Sequence, residues 1–475
     1  MKTMKRYIYT FCTVFLATQS CELVDPTEVV NPNIIQDTQI GVANSTVLYN
    51  KGMERQLALL FNEIVVIAEL GSDNYVNTET FFNQAFDDLD IQFQDADINA
   101  LQFDLANLRE GATFGLETLQ PADPAATEAQ RADLLFYRGF ATLLSGELFR
   151  VLPLEANGPA VESDAHIQSA IDDFLQAESI DGANASYKLA LARAYHRLGD
   201  QANAVAKAQE AIDLEADFLR FVVYDAVNGP TSTIQDALYR RGNFDDLQPL
   251  PRLDFLDPKH YTISGSVDSN TALQKIEEAY LIIAEAQIAD GNLDEARETL
   301  RDVLTVVEGR EVSTVDETVE QRRNSEEMIN RPATSDVLVA ASPTDSLRAG
   351  LVIDRIAQAR VPTVSGTSVT DTYLDNATME DGLLETLYLM RQEIFIAEGR
   401  RFTDLGLKMQ VSEVEFLSND NVTEADTAPL VPAFLPANGM DSFTYDPATM
   451  ICIITNNLNA ILVQNKTSDL VLPFH

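Results

Sequence analysis

The residues best suited to binding chemistry are concentrated between Asp73 and Gln84, where aromatic rings and amide side chains alternate. A sugar ring offers an apolar C–H face to an aromatic ring and hydroxyl groups to amides or carboxylates, so the two residue types suit a sugar site where they converge. Shorter segments at His260-Tyr261 and Tyr373–Asn376 carry the same combination. The candidate ligand-binding residues are therefore Asp73, Asn74, Tyr75, Asn77, Phe81, Phe82, Tyr261 and Tyr373. In the alternative interpretation, each aromatic ring packs its own loop onto the core.

Side chains that would carry catalysis or hold a metal ion do not group in the sequence. The four histidines are isolated, and there is no His-Glu-x-x-His motif, cysteine cluster, nucleophile elbow or glycine-rich phosphate loop. We therefore expect no catalytic residue, no metal ligand and no cofactor. The segment Asp371–Asn376 is only weakly similar to a calcium loop, because its spacing does not match an EF-hand. An α-helical glycosidase is the enzymatic alternative, although no pair of catalytic acids can be identified.

A dense group of charges runs from Arg391 to Asp404. Arg391 and Glu398 are seven residues apart, a spacing that would place them on one face of a helix. We interpret the group as a partly buried ion-pair network that orients a turn at Gly399, rather than as a catalytic acid and base.

The composition narrows the class of ligand and partner. The 475-residue chain has 33 Lys plus Arg against 74 Asp plus Glu, a net charge of −41. This charge repels a phosphate backbone, so nucleic acid is not expected as a partner, and it also argues against anionic glycans. Because the acids are dispersed, they indicate a surface suited to a salty or extracellular setting.

The N-terminus has the features of an export signal. The basic segment Met1–Arg6 precedes an apolar run of 11 residues, Tyr7–Ala17, which is far shorter than the roughly 20 residues that span a bilayer. The following Ser20-Cys21 is similar to the lipobox of bacterial lipoproteins, in which the cysteine is acylated. We therefore expect lipidation of Cys21.

These features predict three regions: a lipoprotein signal peptide at residues 1–20, an acidic extended tether at 21–40 and a single domain at 41–475. Cysteine use agrees with this division. Cys12 would leave with the signal and Cys21 would carry lipid, so no disulfide framework remains. Cys452 lies inside an apolar run and is expected in the core.

Beyond the tether, apolar residues recur at helical spacing. Long helices are predicted around Leu57–Ile67, over Ile98–Leu119 and from Thr127 to Phe149, with others over residues 166–178, 185–198, 201–214, 269–290, 293–307 and 383–398. Segments 71–97, 218–268 and 309–382 are rich in turn-forming residues and predict long irregular loops.

Two helix pairs repeat each other at a fixed offset of 92 residues. The identical pairs are Leu189/Leu281, Ala194/Ala286, Gly199/Gly291 and Ala204/Ala296. Small residues let facing helices approach closely, and a glycine supplies the positive φ that separates them. This pattern predicts tetratricopeptide hairpins near residues 185–215 and 272–307. Ordinary helical hairpins of an α-bundle are the alternative.

Four segments, taken in order, resemble the SusD/RagB family of outer-membrane proteins. They are Ser72-Asp73-Asn74, the helix from Arg131 with the following Phe149–Leu154, the helix Glu278–Ala286 with Gly291-Asn292, and Arg391–Leu405, which is similar to the family signature Glu-Gly-x-Arg-x-x-Asp-Leu. The resemblance extends over essentially the whole mature chain. It implies an all-α, helix-rich SusD-like fold with tetratricopeptide-like hairpins and long irregular loops. The chain contains no Trp, which starch-binding members use in their sugar platform, so starch does not follow as the ligand.

The resemblance also implies a function. The chain would be a non-catalytic lipoprotein of the outer membrane, facing the cell exterior, that delivers an extracellular oligomeric nutrient to a TonB-dependent SusC-like transporter. The absence of Trp and the acidic composition favour a neutral oligosaccharide over other glycans. A RagB-like component for peptide import is one alternative. Another is a tetratricopeptide-type lipoprotein adaptor for outer-membrane protein assembly, which would need more contiguous repeats and shorter loops.

Overall fold

Helices dominate the part of the chain that the computed structural model describes, namely residues 40–77, 83–240, 247–260, 266–316, 331–354, 356, 358–436 and 439–475. The predicted helix-rich fold is therefore confirmed. The predicted signal peptide and nearly all of the tether lie outside the described residues, and the division into regions stays a prediction. Within the described ranges, no helix has both the length and the apolar character needed to cross a bilayer.

The helices vary from three to 26 residues in length. They are α1 (Ser45–Leu70), α2 (Gln84–Asp87), α3 (Ala96–Phe114), α4 (Gln120–Ala122), α5 (Glu128–Leu148), α6 (Ser163–Ile180), α7 (Ala185–Arg197), α8 (Gln201–Leu214), α9 (Thr233–Gln235), α10 (Glu277–Ala289), α11 (Leu293–Gly309), α12 (Asp371–Asn376), α13 (Glu380–Ile394), α14 (Arg401–Asp404), α15 (Glu413–Ser418) and α16 (Leu458–Gln464). Wider π-helical turns occupy Gly115–Leu119 and Asp236–Arg240, and 3₁₀ helices occupy Pro251–His260 and Glu424–Thr427.

The strands are short and form small separate sheets. They are β1 (Tyr75–Asn77), β2 (Val151–Pro153), β3 (Ala160–Glu162), β4 (Leu219–Val222), β5 (Leu247–Pro249), β6 (Thr271–Lys275), β7 (Val312–Asp316), β8 (Leu338–Ala340), β9 (Gln358–Pro362), β10 (Phe443–Asp446) and β11 (Ile451–Ile454). The antiparallel pairs are β1/β5, β2/β3, β4/β6 and β7/β9, while β11 pairs antiparallel with β10 and parallel with β8.

The long helices pack in a continuous row. Along this row, α1 contacts α3, followed in turn by α5, α6, α7, α8, α10 and α11. One hydrophobic cluster extends from Met53 to Leu472, and a second lies between the two predicted hairpins. Helix α13 packs against α10 on one side and α16 on the other. The row is therefore a scaffold beside which α12, α13 and the long loops are held.

Local capping signals set where the helices of the row begin. The Thr127 hydroxyl accepts a hydrogen bond from the Gln130 N–H (3.3 Å), and the Gln130 side chain accepts one from the Thr127 N–H (3.0 Å). This reciprocal pair satisfies two backbone donors at the start of α5. Asn184 and Asp200 cap α7 and α8 without such a reciprocal bond, through side chains that accept from backbone N–H groups.

Both predicted hairpins are confirmed. Helices α7 and α8 form the first, and α10 and α11 form the second. Gly199 and Gly291 have φ of +69° and +77°, the left-handed conformation expected between the paired helices. Ala204 and Ala296 are fully buried, as close helix contact requires.

Replacing Ala204 with leucine tests this close packing. The side chain is fully buried between helices, so the larger residue should lower the free energy of unfolding by about 1–3 kcal/mol. Ala206→Leu is the control, because Ala206 is exposed on the same helix and should change stability by less than about 0.5 kcal/mol. Thermal unfolding of both variants measures the difference, and equal melting temperatures would contradict the packing.

Two predicted helices have wrong boundaries. The first part of the helix expected over residues 269–290 is instead the strand β6. Every residue of β6 is buried, so its sequence lacks the alternation of apolar and polar residues that would distinguish a strand from a helix. The helix expected over 383–398 ends at Ile394, because Ala397 and Gly399 have φ of +57° and +70°. Glu398 therefore does not share a helical face with Arg391.

Candidate functional site

Three of the candidate ligand-binding residues belong to the core. Asp73 and Asn74 are fully buried, and Tyr75 is 1% exposed. Asp73 accepts two hydrogen bonds from the Arg401 guanidinium (2.6 and 3.0 Å), and Asn74 donates one to Glu69 Oε2 (2.7 Å). A ligand cannot reach these side chains, so their assignment to ligand binding is wrong. The burial of Tyr75 agrees instead with the alternative interpretation, in which the ring packs its loop onto the core.

The structure does not decide the role of the other candidates from the segments Asp73–Gln84 and His260-Tyr261. Asn77 is half-buried at the end of β1, opposite Leu247 of β5. Phe81, Phe82 and Tyr261 lie outside the described residues. Their role in ligand binding therefore stays a prediction.

Among the candidate ligand-binding residues that the structure describes, Tyr373 lines a cavity with a volume of about 470 Å³. It lies on α12, which Thr370 caps by accepting a hydrogen bond from the Tyr373 N–H (3.3 Å). The next residue, Leu374, is fully buried and fixes the helix against the core. The cap and this anchor hold the half-buried Tyr373 ring at the cavity wall.

The cavity lies where four parts of the fold meet. Its walls come from the 3₁₀ helix Pro251–His260, the segment that follows β8, the α12–α13 pair and the start of α16. The polar and charged lining residues are Arg252, Asp345, Ser346, Arg348, Asn376, Glu385, Thr386, Glu393 and Asn457, and the apolar ones include Val339, Leu351 and Leu389. The described lining therefore combines one aromatic ring with hydroxyl, amide, carboxylate and guanidinium groups.

The Arg348 guanidinium covers the Tyr373 ring, with the guanidinium carbon 4.8 Å from the ring centroid. One Arg348 N–H group also donates to the Ser368 carbonyl oxygen (2.7 Å). The Arg348 backbone is fixed by two hydrogen bonds of 2.9 Å with Val339. A cation at this distance interacts favourably with the ring face, so the two side chains orient each other.

Burial and four nearby charged groups shift the pKa of the Tyr373 hydroxyl. Burial raises the pKa of Tyr373, Arg348 and Arg252 lower it, and Glu385 and Glu393 raise it. The net direction is upward, so the hydroxyl is neutral at physiological pH. It can then both donate and accept a hydrogen bond at the cavity wall.

The Asn457 amide holds two carboxylates of the lining in place. It donates to Asp345 Oδ2 (3.0 Å) and to Glu385 Oε1 (2.8 Å). Each carboxylate has a second oxygen, which can accept a hydrogen bond from a ligand hydroxyl. Asn457 also caps α16 through its side-chain oxygen. One residue thus couples the start of a helix to the polar wall of the cavity.

Arg252 differs from the other charged residues of the lining. Its side chain is 5% exposed, and its buried Nη1 has no hydrogen-bond partner among the described residues. Burial lowers the pKa of Arg252, while Asp73 and Glu393 oppose that effect from a distance. The guanidinium nevertheless stays charged, because its pKa starts far above neutrality.

The Arg391–Asp404 charges form a structural network, as predicted, with pairs that the spacing did not indicate. Arg391 binds Asp404 through two hydrogen bonds (3.0 and 3.1 Å), and Arg197 bridges Asp404 and Glu147 at 3.1 Å each. Glu398 pairs instead with Lys259 and Lys275, both from outside the cluster. The charged residues between Arg391 and Asp404 are buried more deeply than predicted, whereas their partner Arg197 is half-buried.

A second cavity, of about 430 Å³, borders this network but does not suit acid–base chemistry. The neighbouring arginines lower the pKa of Glu147 to about 2 and hold the pKa of Asp404 well below its usual range, against the opposing effect of burial. Both carboxylates are therefore ionised and occupied by arginine at neutral pH. We interpret them as structural.

Three further groups considered for metal binding or nucleophilic chemistry are buried or paired. His196 is buried and hydrogen-bonds Glu285 at 3.0 Å. Cys452 is fully buried, as predicted, and burial raises the pKa of its thiol to about 12. The weak calcium-loop candidate is helix α12, and its Asp371 and Asp375 pair with Arg301. Among the described residues, no three histidine, cysteine or acidic side chains are grouped to hold a metal ion.

Comparison with solved structures identifies the fold. A structure from Bacteroides vulgatus, provisionally described as a sugar-binding protein, covers 82% of this chain and 99% of its own at 14% identity, with a TM-score of 0.54. A SusD-like carbohydrate-binding protein from the same organism covers 76% of this chain and 83% of its own at 13% identity, with a TM-score of 0.50. No family model and no curated protein matches the sequence. The chain therefore has the SusD-like fold that its motifs predict.

Proposed function

We propose that this protein binds an extracellular oligosaccharide in the cavity lined by Tyr373 and passes it to a TonB-dependent SusC-like transporter. The observation that supports the binding step most strongly is the combination, in one 470 Å³ cavity, of an aromatic ring with amide, hydroxyl and carboxylate groups. An aromatic ring suits the apolar face of a sugar, and the polar groups suit its hydroxyls. Two structures with the same fold are described as carbohydrate-binding or sugar-binding proteins, which favours the same class of ligand.

Delivery to a transporter and attachment by Cys21 to the outer membrane, facing the cell exterior, complete the proposal. Both rest on the resemblance of the sequence motifs and on the signal-like N-terminus. A protein held at the cell surface and carrying a cavity of this kind would raise the local concentration of a nutrient near the transporter. Binding is proposed to be non-catalytic, as the resemblance of the sequence motifs implies.

Truncating the aromatic ring tests the binding step. Tyr373→Ala should weaken binding of an oligosaccharide by about 1–2 kcal/mol, because it removes one contact of the cavity wall. Calorimetric titration of a panel of neutral oligosaccharides, acidic oligosaccharides and peptides measures the affinities of the wild type and the variant. Phe103→Ala is the control, since Phe103 is 66% exposed and lies outside the cavity.

The outcomes separate three explanations. Loss of affinity in Tyr373→Ala with an unchanged melting temperature supports the proposed site. Equal affinities of Tyr373→Ala and the wild type would place the ligand elsewhere. Binding of peptides but of no oligosaccharide in the panel would contradict the proposed ligand class.

A further inference from the structure

The cavity contains a cation that lacks a hydrogen-bond acceptor. Arg252 is 5% exposed, and no ion pair within 4 Å and no hydrogen bond joins it to the described residues. Taking a charged group out of water without hydrogen bonds is unfavourable, so buried charges are normally paired. Arg252 departs from this pattern while lining a cavity large enough for a ligand.

The two carboxylates that most oppose the effect of burial on the pKa of Arg252, Asp73 and Glu393, are already engaged. Both oxygens of Asp73 bind Arg401. Glu393 accepts hydrogen bonds from the Thr367 hydroxyl (2.6 Å), the Ser368 N–H (2.7 Å) and the Ser368 hydroxyl. These carboxylates stabilise Arg252 through space but do not supply the acceptor that its guanidinium lacks.

The other charged groups of the lining have separate roles. Arg348 is committed to the Tyr373 ring and to the Ser368 carbonyl. Asp345 and Glu385 share the Asn457 amide, and their remaining oxygens can accept hydrogen bonds from ligand hydroxyls. The lining therefore offers acceptors for sugar hydroxyls and, at Arg252, a donor for an oxyanion.

We propose that Arg252 forms a subsite for an acidic sugar and binds its negatively charged group, so that the oligosaccharide carries uronate residues. This inference rests on the proposed function of the cavity. A guanidinium presents paired N–H donors that match the two oxygens of a carboxylate, and such charge-assisted hydrogen bonds are about twice as strong as neutral ones. A sulfate ester also carries one negative charge, on a tetrahedral rather than a planar group, and is tested beside the uronate.

An acidic subsite revises the neutral oligosaccharide expected from the composition. The net charge of −41 is spread over the whole chain, and at physiological ionic strength charges are screened beyond about 8 Å. The overall charge therefore slows the approach of an anion, whereas the groups within the cavity determine its affinity once bound. Arg252 supplies a local cation that the composition does not reveal.

Paired ligands test the inference. The panel contains oligogalacturonate, oligoglucuronate and alginate oligosaccharides, the methyl ester of each, sulfated oligosaccharides, neutral oligosaccharides and acidic peptides. The wild type should bind at least one uronate oligosaccharide about 10- to 100-fold more tightly than its methyl ester, the range expected for hydrogen bonds to a charged group. Isothermal titration calorimetry gives each affinity.

Substitution of Arg252 should remove the preference for the acid. In Arg252→Met, acid and ester should bind with affinities that differ by less than about 2-fold, because the cation is gone. The melting temperature should stay equal or rise, since the change removes a desolvated charge. Lys51→Met is the matched control, because it removes one positive charge from an exposed position on α1 and should leave the preference unchanged.

Each outcome of the panel has one interpretation. A preference for a uronate that disappears in Arg252→Met supports the subsite for an acidic sugar. A preference for sulfated over uronate ligands, or binding of neutral ligands alone, would overturn the uronate assignment and leave oligosaccharide binding intact. Binding of acidic peptides alone, or of no ligand in the panel, would contradict both this inference and the proposed function.

Discussion

Replacing Arg401 with methionine is expected to lower the free energy of unfolding by about 3–5 kcal/mol, which is large enough to unfold many proteins of ordinary stability. Arg401 and Asp73 are 1% and 0% exposed, and the two side chains meet at 2.6 Å. Without the guanidinium, the Asp73 carboxylate stays buried with a single hydrogen bond from Gln392 (3.0 Å). Chemical denaturation at neutral pH measures the loss.

A double variant separates loss of the pair from loss of packing. Asp73→Leu combined with Arg401→Met removes both charges, and an apolar replacement of a buried pair is often nearly neutral. We expect the double variant to be more stable than Arg401→Met alone. Lys51→Met breaks the exposed pair with Glu54 and should change stability by less than about 1 kcal/mol. If Arg401→Met lost no more stability than Lys51→Met, a structural role for the Asp73–Arg401 pair would be contradicted.

Replacing Cys21 with alanine is expected to release the whole protein from the membrane fraction. Acyl chains contribute about 0.8 kcal/mol per buried CH₂ group, so their loss removes the attachment almost completely. Separation of soluble and membrane fractions, followed by detection of the protein, measures the change.

Cys12→Ala is the control for this experiment, because Cys12 lies in the apolar part of the predicted signal and would be removed with it. It should remain membrane-bound. Retention of Cys21→Ala in the membrane fraction would show a second means of attachment and contradict the proposed anchor.

The parts of the fold that depend on local sequence are predictable. Gly199 and Gly291 end their helices because a glycine adopts positive φ readily, and their φ values of +69° and +77° match that expectation. The buried Ala204 and Ala296 follow from the same hairpin pattern. In each case the residues that determine the feature lie within a few positions of it in the sequence.

The partners of the buried polar residues are not predictable, because they come from distant parts of the chain. Asp73 pairs with Arg401, 328 residues away, so its local turn-like context suggested an exposed ligand contact that the structure does not have. Glu398 pairs with Lys259 and Lys275, 139 and 123 residues away. No periodicity or motif spacing encodes such contacts.

Most of the residues that line the cavity are likewise not predictable from the sequence. Tyr373 was identifiable as an aromatic ring beside Asp375 and Asn376, but Arg252 and Asn457 lie on other elements and have no motif of their own. A buried arginine without an acceptor is recognised only after the surrounding side chains are placed. The sequence thus predicts an oligosaccharide as the ligand and one residue of the cavity lining, whereas the other lining residues emerge only from the structure.

A crystal structure of the protein with the oligosaccharide that binds it most tightly in the calorimetric panel tests the proposed site most directly. We expect a sugar ring to contact Tyr373 within the cavity bounded by α12, α13 and the 3₁₀ helix Pro251–His260. We also expect hydrogen bonds from sugar hydroxyls to Asp345 or Glu385. Density for the oligosaccharide at another surface, with the cavity free of sugar, would contradict the proposed site.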